Sequence, residues 1–132
     1  MLFRSILEFN NAVTTARLTT GGVWTNASDK FIKTNFIEID KKEILDCIMK
    51  LPITRWNYKK ENSSTTHIGP MAQDFYKLFN TGNDDKTIST IDPSGVALIG
   101  VQQLKSEIDE LKKENEKLKN DLMLIKQKLG MK

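Results

Sequence analysis

Two side chains five positions apart, Ser28 and Lys33, are the residues in this chain most suited to covalent chemistry. A serine hydroxyl is a weak nucleophile until a base removes its proton. Lysine can be that base when burial lowers its pKa towards neutrality. Five residues is a span that one turn or a bent strand can close. Such a pair is common by chance, so the competing reading is that Ser28 is an ordinary turn residue. Asp29 and Asn35 flank the pair, and Asn35 could hydrogen-bond the turn that holds Ser28. His67 is the only histidine. A structural hydrogen bond is its expected role, and it would orient the site only if the fold carried it to Ser28. Gln73 is expected to satisfy backbone groups. The chain shows no glycine-rich phosphate loop and no metal-ligand spacing, so no metal or cofactor is expected.

Short elements must position these residues. Leu18 to Ala27 is rich in Thr and Gly and reads as short β-segments around Gly21-Gly22. Such a segment buries no core alone and reads as the end of something longer, or as an arm against another subunit. Asp40 to Lys50 reads as a helix. Asp40 is its N-cap, Glu43 stands three residues on, Ile44, Leu45, Ile48 and Met49 follow at helical spacing, and Pro52 stops it. Cys47 lies in this pattern and reads as a small buried hydrophobe. Ile53 to Tyr58 reads as a strand. His67-Ile68-Gly69 reads as a short extended piece, Met71 to Leu78 as a helix, and Thr87 to Ile91 as a strand. Asp92-Pro93 predicts a helix start, with Asp as N-cap and Pro in the first helical position.

The helix that follows carries the clearest pattern in the sequence. Val101, Ile108, Asn115, Leu122 and Leu129 occupy position a of a heptad, and Leu104, Leu111, Leu118 and Ile125 occupy position d. All but Asn115 are large aliphatics. A repeat of 3.5 residues held this long marks a left-handed supercoil rather than a helix lying on its own domain. Lys105, Lys112, Lys119 and Lys126 stand at e; Glu107, Glu114 and Asp121, then Lys128, stand at g. A parallel, in-register pair then sets Glu107 against Lys112, Glu114 against Lys119 and Asp121 against Lys126. An antiparallel pair sets Lys against Lys. Asn115 favours two strands and mixed Ile and Leu allow three, so the heptads leave dimer and trimer open.

The 132 residues, with 20 basic and 17 acidic side chains, give a net charge of +3. That length suits one domain, and the globular remainder is small enough for oligomerisation to be a natural remedy. No basic stripe with interleaved aromatics points to nucleic acid. No segment is long enough to span a membrane. The apolar start from Met1 to Leu7 lacks the h-region of a signal peptide.

Four blocks occur in an order that resembles one family. Ser28-Asp29-Lys30-Phe31-Ile32-Lys33-Thr34-Asn35 is similar to the Ser-Asp-x-Arg-x-Lys-x-Asn signature opening the self-cleaving C-terminal chaperone domain of phage endosialidases and related tail fibres. A similar domain occurs in myelin regulatory factor. Leu51-Pro52 through Trp56-Asn57-Tyr58-Lys59 resembles the family's strand after its first helix. His67-Ile68-Gly69-Pro70-Met71-Ala72-Gln73-Asp74 resembles its His-Ile-Gly-Phe-x-Ala-Gln-Glu block. Ser89 to Gly95 resembles the block before its long helix. Phe31, Pro70 and Asp74 stand where Arg, Phe and Glu are usual. The likeness runs from about Thr25 to Leu129.

The resemblance implies an intramolecular chaperone that helps an upstream fibre or adhesin segment of the same polypeptide fold as a trimer. The domain then cuts itself free by serine endopeptidase chemistry. Ser28 would be the nucleophile, Lys33 the general base, Ala27–Ser28 the scissile bond, and Asp29, Asn35, His67 and Gln73 candidate supports. Localisation, host and compartment are not readable from the sequence; a phage tail or a bacterial surface, with the released domain soluble, is compatible with the resemblance. The expected fold is α+β: a small mixed part with short strands and two short helices, then a long helix forming a parallel homotrimeric coiled coil. The expected divisions are residues 1–27 as an upstream β-rich arm, 28–95 as the globular part and 96–132 as the stalk. Only 27 residues precede Ser28, too few for a fibre. The chain is therefore expected to begin inside a longer protein, or to have lost its client. The alternative function is a non-catalytic coiled-coil oligomerisation module of a surface or tail fibre protein.

Overall fold

A computed structural model describes residues 8–11 and 14–130. The apolar start at Met1 to Leu7 lies outside the described residues. The chain divides into a unit ending at Glu38 and a unit beginning at Ile39.

In the first unit, β1 (Glu8–Asn11), β2 (Thr14–Leu18) and β3 (Trp24–Asn26) form an antiparallel sheet in the order β1-β2-β3. Leu18 faces Trp24 and Ala16 faces Asn26 in the register. The β2–β3 turn closes where the sequence places its two glycines. Thr19 N donates to Val23 O at 2.8 Å, Gly22 N donates to Thr19 O at 2.9 Å, and Val23 N donates to the Thr19 hydroxyl at 3.1 Å. Gly22 has φ 77°, a left-handed conformation that costs a glycine little. From Ala16 to Glu38 no side chain is buried. The segment builds no core, as its sparse apolar content requires.

The second unit carries the core. α1 (Lys41–Lys50) starts at Asp40, whose carboxylate accepts from the backbone N–H groups of Lys42 and Glu43. It stops before Pro52, which disfavours helical backbone at the residue before it. β4 (Thr54–Trp56) pairs antiparallel with β5 (His67–Gly69), placing Trp56 opposite His67. α2 (Ala72–Phe79) ends at Asn80, whose left-handed φ of 49° closes the helix. α3 runs from Ile91 to Lys128 over 38 residues, a rod about 57 Å long at the usual helical rise.

Leu45 of α1 and Phe75 and Phe79 of α2 are the buried apolar side chains, and the two phenyl rings lie 4.7 Å apart. α1 packs along the first part of α3 and touches α2. Gly100, buried on α3, makes that approach close: a Cβ there would lie 2.8 Å from Cδ1 of Ile48. Cys47 is half-buried on α1.

The architecture is α+β, as the sequence predicts. Two local expectations are corrected. Thr87 to Ile91 forms no strand, because the backbone there finds other partners. The Asp84 carboxylate accepts from Lys86 N–H at 2.8 Å and from Thr87 N–H and hydroxyl at 2.8 and 2.9 Å. These bonds to its charged form, the Lys86 N–H foremost, hold the Asp84 carboxyl below its ordinary value. Asp92 is not the cap of α3. The helix begins at Ile91, and Asp92 N–H donates to Ser89 O in its first turn.

Past its contact with α1, the apolar stripe of α3 has no partner in the single chain. Leu111 is 57% exposed and Leu118 59%. Val101, Leu104, Ile108, Leu122, Ile125 and Leu129 are likewise open to solvent. Asn115 folds its amide back onto Leu111 O at 3.3 Å. Lys105 pairs with Asp109 one turn on, which lowers the pKa of that carboxyl. Among the described residues, Lys112, Glu114, Asp121 and Lys126 make no ion pair within the chain. No helix of the described residues is long and apolar enough to cross a membrane.

Candidate functional site

β3 ends at Asn26, and Ala27 leads the exposed chain into Ser28. Asp29 then caps a single 3-10 turn, Lys30–Ile32, by accepting from Phe31 N–H at 2.9 Å. The turn is closed by Ile32 N–H to Asp29 O and Lys33 N–H to Lys30 O, each 3.3 Å. Its compact rise returns Lys33 towards the start of the segment. Lys33 Nζ donates to Ser28 Oγ at 2.6 Å. The two residues singled out by spacing are thus in direct contact, and both are exposed. Lys30 lies over the Phe31 ring, 5.2 Å from its centroid. Asn35 adopts a left-handed φ of 55°, a conformation Asn tolerates better than most residues. Among the described residues its side chain makes no hydrogen bond to the Ser28 turn.

The other polar candidates sit in the second unit. His67 Nε2 lies 3.1 Å from Glu61 Oε2, and the same oxygen accepts from Tyr58 N–H at 3.1 Å. The imidazole stacks on Trp56 with ring centroids 4.8 Å apart, and the Tyr58 ring meets both. His67 thereby ties the 57–66 loop to the β4–β5 ribbon. Its carboxylate partner Glu61 was not singled out by the sequence. The signal for it was the single acidic residue in the polar turn that precedes His67. Gln73 stands exposed in the first turn of α2, on a groove shared with Trp56, Tyr58, Pro70 and Met71. The Trp56 indole N–H is enclosed and has no hydrogen-bond partner. Among the described residues no three metal-ligating side chains come together.

A hydroxyl bonded to an amine, next to an exposed peptide bond, can perform acyl transfer if the amine is neutral. Comparison with known families points the same way. The model of a peptidase family described as chaperone of endosialidase matches residues 28–82. That stretch of the chain is similar to this family, and the match opens at Ser28 itself. No curated protein matches the chain.

Proposed function

We propose that this chain is an intramolecular chaperone that aids trimeric folding of an upstream fibre-like segment and frees itself by cutting Ala27–Ser28. The observation that supports it most is the 2.6 Å contact between Lys33 Nζ and Ser28 Oγ, at the first residue of the family match. In the reaction, neutral Lys33 takes the proton of the Ser28 hydroxyl. The Oγ attacks the Ala27 carbonyl carbon through a five-membered ring. The C–N bond breaks, and the Lys33 ammonium returns the proton to the departing Ser28 nitrogen. The resulting ester between Ala27 and Ser28 Oγ is hydrolysed by water. The products are an Ala27 carboxylate and a Ser28 with free amine and hydroxyl. Asp29 holds the turn that brings base and nucleophile together, and no metal or cofactor is required.

The exposed seam of α3 supports self-association, and the signs at e and g support a parallel arrangement in register. Three strands are carried by the family rather than by the heptads. Association raises the local concentration of the upstream chains, which favours slow non-local β-pairing. The globular part from Ser28 onward would act as the chaperone and the coil as its stalk.

The test uses the chain with its natural upstream sequence. Ser28→Ala and Lys33→Arg should assemble as wild type does and stay whole, because arginine keeps the hydrogen bond but cannot serve as base. A wild type that itself stays whole supports the passive oligomerisation module.

A further inference from the structure

The seam of α3 is uniform except at one place. Ile108, Leu111, Leu118, Leu122 and Ile125 are aliphatic and open to solvent in the single chain. Asn115 stands among them at position a. It is exposed, and its amide folds back onto Leu111 O at 3.3 Å. That oxygen also takes the helix bond of the Asn115 N–H, so the amide gives up little by turning to a partner. Asparagine is a poorer helix former than leucine, and in an aliphatic layer it removes apolar contact. What it brings is a demand. Its amide has donors and an acceptor, and burial without a partner for them is penalised.

The occupant indicated for the seam is a second copy, running parallel. Among the described residues, Lys112, Glu114, Asp121 and Lys126 make no ion pair within the chain. Parallel copies set Glu114 against Lys119 and Asp121 against Lys126. These charges fix direction better than alignment, because every e position is lysine. Displace one copy by a heptad, and Glu107 meets Lys119 on one flank while Asp121 meets Lys119 on the other. Only Lys128 against Lys126 is newly repulsive. The aliphatic layers exchange as freely: Leu111 meets Leu118, and Leu118 meets Ile125. Asn115 does not exchange. In register it meets its own counterpart, amide to amide. Displaced, one Asn115 faces Leu122 and the other faces Ile108, and neither amide is satisfied.

We propose that Asn115 fixes the alignment of the coil: it lets the α3 seam accept a parallel copy in register and reject one displaced by a heptad. This rests on the self-association proposed above. A displaced copy carries its globular part about 10 Å along the rod. The residue that forbids this is therefore what lets assembly align the segments each chain carries. Asn115 determines specificity at the expense of stability.

The experiment reads the alignment by disulfide trapping in the full chain. Cys47, the only native cysteine, is first removed as Cys47→Ala. Leu118→Cys chains are mixed with isotopically labelled Ile125→Cys chains in a glutathione redox buffer, and intact mass gives the fraction of mixed disulfide. Both positions are d, one heptad apart. Their backbones lie too far apart to bridge in register and face each other when displaced. Displacement also uncovers a heptad at each end, but that loss is the same whatever stands at 115. The change between backgrounds thus reports position 115 alone. The mixed fraction should rise about tenfold or more in Asn115→Leu, the penalty of an unpaired buried amide read as a ratio. Moving the polar layer one heptad, with Asn115→Leu and Leu122→Asn together, should bring it back down. The Asn115→Leu assembly should also melt at a higher temperature. An equal mixed fraction in the two backgrounds, no recovery on moving the layer, or a lower melting temperature overturns the proposal. Wild type that sediments as a monomer overturns instead the self-association beneath it.

Discussion

Lys33 Nζ lies 2.6 Å from Ser28 Oγ because one 3-10 turn, capped by Asp29, separates the two residues. The cap is a single bond, Phe31 N–H to Asp29 Oδ1 at 2.9 Å. Removing it with Asp29→Ala should loosen the turn by about 1 kcal/mol and slow cleavage roughly fivefold, that energy expressed as a rate. Asp29→Asn, which caps as well, should be nearly unaffected. The thermal midpoint should not move in either, since this segment buries no side chain. Cleavage time courses beside thermal melts check this, and a rate unchanged in Asp29→Ala would refute the role.

The seam of α3 makes a second prediction. Leu111 and Leu118 are more than half exposed in the single chain, so changing both to Asp should leave the globular part folded while abolishing self-association. Sedimentation should find a monomer, and the monomer should stay uncut. Efficient cutting by a proven monomer would break the link between assembly and cleavage.

Gly100 tests the packing that anchors the helix. Even a Cβ would lie 2.8 Å from Ile48 Cδ1. Gly100→Leu should therefore overfill the α1–α3 contact and cost about 1–3 kcal/mol, seen as a lowered thermal midpoint. Gly95→Leu, on the same helix with nothing within 4 Å of its Cβ position, should not destabilise in this way.

Much of this was legible beforehand, and the reasons are local. Asp40 capped α1 and Pro52 stopped it, because both effects act within a turn. The Gly21-Gly22 turn and the heptads of α3 were legible for the same reason. Thr87 to Ile91 misled because Thr and Ile suit a strand, yet no neighbouring strand pairs with it. Asp84, three residues upstream, captures its first backbone N–H, that of Thr87, instead. The start of α3 lies earlier because Asp92 N–H donates to Ser89 O, which places Asp92 inside the first turn rather than before it. At the site, spacing suggested that Ser28 and Lys33 could meet. The capped 3-10 turn that joins them was not foreseen, nor was the bond from His67 to Glu61, which needs the β4–β5 pairing to bring its partners together.

The Asp84 capture carries a pH signature. Its folded carboxyl is held below the ordinary carboxylate value by the Lys86 N–H, then by the Thr87 hydroxyl and N–H. A depressed carboxyl contributes stability above its unfolded value and loses it as pH falls through the folded one. The Lys86 and Thr87 amide resonances should therefore hold their positions into acid and shift together only below the ordinary aspartate value. A shared midpoint at or above that value would contradict the capture.

The central claim is that Ser28, activated by Lys33, cuts its own preceding peptide bond. Intact mass spectrometry of the chain expressed with its natural upstream sequence tests it most directly. The account predicts two fragments in wild type, one ending at Ala27 and one beginning at Ser28, and a single uncut mass in both Ser28→Ala and Lys33→Ala. Fragments divided at any other bond, or the same two fragments in either variant, would contradict it.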